Sequence, residues 1–147
     1  TSVSAPIQYA AIEAYTGDYS NYLEAVKKIL SSIGMYTYEN LKSNAINVSK
    51  PEGGFYLFPE FINAKFSSSS EMCKEILDKT GVALLPGSDF GLDEKKMIAR
   101  LSYTHFDGNS FLKNTIGSKI LDTDDLKKYA PNVVEGTSKL KEWSNSL

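Results

Sequence analysis

Hydrophobic residues recur at helical spacing along much of the chain. An opening helix is predicted from Pro6, because proline is favoured in the first turn. A long amphipathic helix should follow over residues 18–44. Gly34 inside it leaves open a kink or a break, since glycine costs about 1 kcal/mol relative to alanine in a helix. The predicted buried face of this helix consists of Leu23, Val26, Leu30, Ile33 and Leu41.

Shorter helices are predicted later in the chain. Ser68 and Glu71 have the spacing of a capping box, and Gly81 is suited to end the helix that they begin. Asp107 should cap a further helix, and a last helix should run over residues 131–144. The predicted core side chains of the helix after Ser68 are Met72, Cys73, Ile76 and Leu77.

The segments between these helices are typical of β-strands. Residues 45–49 and 54–61 predict two strands joined by a Pro-Glu-Gly-Gly turn, and short strands should follow at 82–85 and 97–103. The intervening residues 86–91 predict a loop. The pattern indicates an α+β fold, in which a small, mainly antiparallel sheet packs on helices.

Arg100 stands inside the last predicted strand. The period of two places it with Ile98 and Ser102, on the face opposite Leu101. A guanidinium there either points to solvent from an exposed sheet face or lines a cleft, where its planar fork can hold a carboxylate through two hydrogen bonds. The pattern leaves both interpretations open.

Composition and charge restrict the classes of function. The chain has 147 residues, of which 41% are hydrophobic, and this fits one globular core. Its formal charge of −2 gives no electrostatic argument for nucleic acid or an anionic membrane, and no apolar run approaches the roughly 20 residues that span a bilayer. A single cysteine and a single histidine argue against a disulfide and a zinc site. We therefore expect a cytoplasmic protein without structural metal, membrane or nucleic-acid partner.

Four strings occur in a characteristic order: SVSAPIQYAA, KPEGGFYLF, LLPGSDFG and ARLSYTHFDG. In this combination the chain resembles the C-terminal part of class I/II aminotransferases of fold type I, which depend on pyridoxal phosphate. The resemblance implies an enzyme that moves an amino group between an amino acid and a 2-oxo acid. It also implies a homodimer, in which residues 1–4 approach the active site of the neighbouring subunit. Residues 1–17 would then end the large-domain helix region, and residues 18–147 would form the C-terminal small domain.

The resemblance assigns roles to a few residues. Arg100 occupies the position of the arginine that binds the substrate α-carboxylate. Phe55 matches an aromatic residue in a strand beside the pocket, and residues 86–91 match a loop at its entrance. The resemblance thus predicts four pocket-lining residues, Gly54, Phe55, Ser88 and Phe90.

The Schiff-base lysine of the family has no match in this chain. Lys50 follows a serine, but Pro51 comes next, and the Gly-x-Arg-x-Gly stretch of the family's lysine segment is absent. The family's phosphate cup and the aspartate that pairs with the pyridine nitrogen also have no match. We therefore expect no catalytic residue in this segment, and neither bound pyridoxal phosphate nor activity from the chain alone.

Other interpretations remain at this stage. A non-catalytic ligand-sensing or dimerisation domain would keep the same fold, and related fold-type I lyases and synthases share it. His105 and Asp107 could suggest acid–base chemistry, but a histidine at a strand end and a helix cap are the simpler interpretation. Cys73, on an apolar helix face, is predicted to be a core residue.

Overall fold

The structure is a computed structural model that describes residues 2–115 and 121–147. Two parts of the predicted regions lie outside the described residues: Thr1 of the N-terminal stretch 1–4, and residues 116–120 of the small domain. The helices are α1 Ala5–Thr16, α2 Ser20–Leu41, α3 Ser69–Thr80, α4 Gly108–Thr115, α5 Thr123–Tyr129 and α6 Pro131–Asn145. The strands are β1 Ile46–Asn47, β2 Tyr56–Leu57, β3 Glu60–Phe61, β4 Leu85–Pro86 and β5 Ala99–Ser102, and a 3₁₀ turn spans Gly87–Phe90. The described chain is thus helix-rich, with a small sheet.

All the described strand pairs are antiparallel, as predicted. β5 lies between β2 and β4, while β1 pairs with β3. Residues 54–61 were predicted as one strand, and the structure divides them into β2 and β3. Pro59 accounts for the division, because it accepts a hydrogen bond from the Ala99 N–H at 3.1 Å but has no N–H to return. The register nevertheless continues past it, since Glu60 lies opposite Ile98.

The core lies between one face of this sheet and the helices. β5 contributes Ala99 and Leu101 to the core, and α2, α3 and α6 cover it. The buried residues of α2 are Ala25, Ile29, Ile33, Gly34, Thr37 and Leu41. Leu23 was predicted on this face and is exposed, because the first turn of α2 extends beyond the core. Leu77 of α3 is also exposed, contrary to prediction.

Helix α2 runs through Gly34 without a break. The ring of Tyr103 packs against this position so closely that a Cβ on Gly34 would lie 2.9 Å from the Tyr103 hydroxyl oxygen. That hydroxyl donates a hydrogen bond to the Gly54 carbonyl at 3.0 Å. Glycine therefore serves close packing here, and the break that the sequence left open does not occur.

The predicted caps form, but the Ser68–Glu71 capping box is one-sided, because the Glu71 carboxylate accepts the Ser67 N–H and not the Ser68 N–H. The Ser68 hydroxyl accepts the Glu71 N–H at 3.2 Å, and Gly81 ends α3 in the left-handed region with φ 74°. Asp107 accepts the N–H groups of Asn109 and Ser110 at the start of α4. Helix α5 was not predicted, although Asp122 and Asp125 form a reciprocal capping box there.

Two segments around β4 differ from prediction. Strand pairing starts at Leu85 and not at Val82, because the Val82 N–H is bound by the Thr80 hydroxyl at the end of α3. The predicted loop 86–91 contains the 3₁₀ turn Gly87–Phe90. Gly91 ends that turn with φ 80°, a conformation that favours glycine.

Candidate functional site

Arg100 lies on the outer face of the sheet. Its neighbours Ala99 and Leu101 are 0% and 7% exposed and point into the core, whereas Arg100 itself is half-buried and Ser102 is exposed. This alternation is the one predicted from the period of two. The sheet therefore holds the Arg100 backbone rigidly while it directs the side chain away from the core.

Two aromatic rings hold the Arg100 guanidinium. Its Cζ lies 4.3 Å from the centre of the Tyr56 ring and 4.2 Å from the centre of the Phe90 ring. Tyr56 comes from β2 and lies opposite Ser102, while Phe90 ends the 3₁₀ turn that follows β4. Both distances are within the range of a favourable cation–π contact. The rings thus stabilise the charge without supplying a negative partner.

Further apolar side chains surround this cation. Phe58 faces Arg100 by the β2–β5 register, and its ring meets the Phe90 ring edge-on at 5.7 Å. Leu85 pairs directly with Arg100 across β4 and is 45% exposed. An anion bound here would lie beside apolar groups, where electrostatic attraction is stronger than in open water.

No described residue of the chain occupies the donors of Arg100. Within residues 2–115 and 121–147, the ion pairs join Lys127 to Asp124 and Lys139 to Glu135, and neither involves Arg100. The guanidinium also makes no hydrogen bond to the described part of the chain. A planar fork of N–H donors matches two coplanar oxygens, so the arrangement suits a carboxylate.

The predicted pocket residues divide into two groups. Phe90 contacts Arg100 directly, and Phe55 reaches it through Tyr56, whose ring centre is 4.4 Å from that of Phe55. Ser88 instead accepts a hydrogen bond from the Ser69 hydroxyl at 3.3 Å. The Gly54 carbonyl is bound by Tyr103, and Gly54 lines a separate cavity of about 450 Å³. Pocket roles for these four residues therefore stay predictions.

Sequence reasoning missed Tyr56. The alternation in residues 55–58 places Tyr56 and Phe58 on one face, and antiparallel pairing with residues 97–103 brings that face to Arg100. The signal therefore lay in the pairing of two strands, whereas the resemblance drew attention to Phe55.

The other reactive side chains have ordinary surroundings. Lys50 is exposed beyond β1. The His105 Nε2 atom lies 3.3 Å from the Asn132 amide nitrogen, and hydrogen bonds from the Ser110 hydroxyl and N–H lower the pKa of Asp107, as befits a cap. Burial, followed by the charge of Asp89, raises the pKa of Cys73 to about 11, so its thiol is unreactive at neutral pH.

Neither a metal cluster nor a membrane helix is found in the described ranges. No group of three or more His, Cys, Asp or Glu side chains there is placed to hold a metal ion. No helix in the same ranges has the length and the apolar character needed to cross a bilayer.

Comparisons with known proteins point to one family. The family model described as aminotransferase class I and II matches residues 1–116. An aspartate aminotransferase from Bacillus sp. (strain YM-2) is 38% identical over 89 residues, which cover 57% of this chain and 22% of that protein.

Solved structures show the same fold. An alanine aminotransferase from Pyrococcus furiosus aligns with a TM-score of 0.69 and 23% identity, over 98% of this chain and 30% of that chain. An α-aminoadipate aminotransferase from Thermus thermophilus, complexed with N-(5'-phosphopyridoxyl)-L-leucine, aligns with a TM-score of 0.54 and 19% identity, over 92% of this chain and 30% of that chain. The chain thus corresponds to between 22% and 30% of the length of these relatives.

Proposed function

Because the chain belongs to the aminotransferase class I and II family, we propose that it forms the C-terminal small domain of an enzyme dependent on pyridoxal phosphate. That enzyme transfers an amino group between an amino acid and a 2-oxo acid. The role of this segment is to bind the α-carboxylate of both substrates through Arg100. In this proposal, residues 1–17 belong to the large-domain helix region, and residues 18–147 form the small domain.

The geometry around Arg100 is the observation that carries this proposal. Its guanidinium is held by Tyr56 and Phe90 at about equal distances, and no described carboxylate neutralises it. An arginine that only stabilised the fold would be expected to bind an acidic side chain or a backbone carbonyl. One that is held in place while no described residue occupies its donors is suited to a ligand.

Binding the carboxylate at Arg100 orients the rest of the substrate. The two hydrogen bonds of a bidentate pair fix both the position and the plane of the carboxylate. The Cα atom next to it is then held in a defined direction relative to the reacting groups, which is a source of catalytic rate. Arg100 therefore acts through binding and orientation, and it transfers no proton itself.

The cofactor does not fit the side chains around Arg100. That cluster offers one cation and aromatic or aliphatic groups, but no amine for a covalent link. Lys50 is exposed beyond β1 and is followed by Pro51, outside the sequence context of the family's lysine. Pyridoxal phosphate supplies an electron-withdrawing ring and a carbonyl that accepts the amino group. We assign its lysine and its phosphate contacts to the remainder of the full-length enzyme, and we assign no catalytic residue to this segment.

The homodimer is also part of the proposal. Helix α1 has no buried residue, and its apolar side chains Ile7, Tyr9 and Ile12 are at least 58% exposed. Such a surface is normally covered by other protein. We propose that the large domain and the second subunit cover it in the full-length enzyme. A cytoplasmic location stays a prediction from the sequence.

Kinetics of the full-length enzyme that carries this segment test the role of Arg100. Arg100→Lys keeps the charge but loses the bidentate fork, so we expect kcat/KM for the amino acid to fall at least about tenfold, which is about 1.4 kcal/mol. Lys96→Arg is the matched control, because it exchanges the same two residue types at an exposed position near β5. Wild-type kinetics in Arg100→Lys would contradict the assignment.

A further inference from the structure

We infer that Tyr56 and Phe90 are positioning residues, which fix the plane of the Arg100 fork so that it favours a planar carboxylate over a tetrahedral oxyanion. This inference rests on the proposed function and adds a source of ligand selectivity to it. It concerns Tyr56 above all, a residue to which neither the sequence nor the family resemblance directed attention.

The two rings approach Arg100 from different sides. Tyr56 belongs to β2 and Phe90 follows β4, and these strands flank β5 on its two edges. The Arg100 Cζ lies 4.3 Å from one ring centre and 4.2 Å from the other. Contact with two aromatic rings covers part of the guanidinium surface, and the N–H groups that the rings leave uncovered are the side open to a ligand.

Both rings are anchored to the strand that carries Arg100. The Gly87 N–H donates to the Ile98 carbonyl at 2.8 Å, which fastens the turn that presents Phe90 directly to the residues before β5. A Cβ on Gly87 would lie 2.9 Å from that same carbonyl oxygen, so the close approach requires glycine. Tyr56 is fixed by its pairing with Ser102. The rings and the cation therefore keep a constant relative placement.

This placement has consequences for the kind of anion that binds. A carboxylate has two coplanar oxygens, which an edge-on guanidinium can meet with two parallel hydrogen bonds. A phosphonate is tetrahedral, so at least one of its oxygens lies outside the guanidinium plane, in the direction of a ring. A flexible arginine can tilt to accommodate it, whereas the two ring contacts restrict the tilt of Arg100. The preference for a carboxylate over a phosphonate should therefore depend on the Tyr56 and Phe90 rings and not only on the charge of Arg100.

The sequence offers a direct probe, because Arg100 is its only arginine. In the 147-residue chain labelled with ¹⁵N-arginine, a single Nε–H signal reports on this side chain. We would titrate the chain with propionate and, separately, with ethylphosphonate, and obtain the ratio of the two dissociation constants. We expect the wild-type chain to bind propionate more tightly. In Tyr56→Leu and in Phe90→Leu, propionate binding should weaken about two- to fivefold and the ratio should move toward one.

Three further variants separate positioning from a general structural effect. Tyr56→Phe and Phe90→Tyr keep a ring at each position and should retain the wild-type ratio. Tyr19→Leu removes a ring of similar exposure, 40% against 39% for Tyr56 and Phe90, and the Tyr19 hydroxyl is bound to Glu13 at a distance from the site. It should also leave the ratio unchanged. Because the ring positions are partly exposed, the Leu variants are expected to fold.

The outcomes distinguish this inference from the proposed function. An unchanged ratio in both Leu variants, with propionate still bound at Arg100, would overturn the positioning role and leave Arg100 as the carboxylate site. A wild-type Arg100 signal that does not respond to propionate would overturn both.

Discussion

At the scale of single residues, Arg100 and Leu101 illustrate how adjacent positions in one strand serve different purposes. Leu101 is 7% exposed and packs in the core, while Arg100 lies on the outer face against Tyr56 and Phe90. The period of two in residues 97–103 was sufficient to predict this difference. What it could not supply were the ring contacts, because they depend on strands that are distant in sequence.

Substitution of these two neighbours should affect folding very differently. We expect Leu101→Ala to lower the free energy of unfolding by about 2 to 5 kcal/mol, because it leaves a cavity in the core. Arg100→Ala removes two partly exposed cation–π contacts and should cost about 1 to 2 kcal/mol. Urea denaturation of both variants provides the comparison. Equal losses would show that the faces of β5 are assigned wrongly.

At the scale of elements, the long helices were the easiest part of the fold to predict and the short strands the hardest. In α2 and α3, hydrophobic residues recur at helical spacing over several turns, and α3 is bounded by the cap residues Ser68 and Gly81. The division of residues 54–61 into two strands depends on how Pro59 meets Ala99, which no local pattern contains. The capping box of α5 was present in the sequence, but a helix of seven residues has too short a pattern to stand out.

The two glycines within long helices should respond to alanine in opposite ways. Gly34→Ala gains helix propensity of about 1 kcal/mol, but its Cβ would lie 2.9 Å from the hydroxyl oxygen of Tyr103, whose ring is buried and hydrogen-bonded. Overpacking of this kind costs about 1 to 3 kcal/mol, which equals or exceeds the gain in helix propensity. We therefore expect the free energy of unfolding of Gly34→Ala to be no higher than that of the wild type.

Gly136→Ala in α6 is the matched control. Its nearest contact would be a Val82 methyl carbon at 3.5 Å, an ordinary packing distance, so about 0.5 to 1 kcal/mol should be gained. Thermal or urea unfolding of the two variants measures both effects. A stabilised Gly34→Ala variant would contradict the packing of Tyr103 against α2.

At the scale of the whole molecule, the family and the class of fold followed from four strings in the right order. The small antiparallel sheet packed on helices agrees with that prediction. The arrangement of side chains around Arg100 could be predicted only in part. A family resemblance indicates which sequence positions belong to a site, but it does not say which side chains touch one another. It pointed to Arg100 and Phe90, which contact each other in the structure, while Tyr56 required the three-dimensional pairing of β2 with β5.

The 147-residue chain, taken alone, should not act as an aminotransferase. Lys50 follows a serine as the family's lysine does, but it is followed by Pro51 and is exposed beyond β1. We expect absorption spectra of the chain mixed with pyridoxal phosphate to show no specific aldimine, and assays with common amino acids to show no transamination. A stoichiometric aldimine that disappears in Lys50→Ala would make that lysine the catalytic residue.

The central claim is that Arg100 binds the carboxylate of the substrate, and chemical protection of this residue tests it most directly. Phenylglyoxal modifies guanidinium groups, and because the sequence has one arginine, every arginine adduct detected by mass spectrometry reports on Arg100. At constant ionic strength, L-alanine should slow the modification, whereas L-alanine methyl ester, which lacks the carboxylate, should leave the rate unchanged. Equal modification rates with the acid and the ester would contradict the claim.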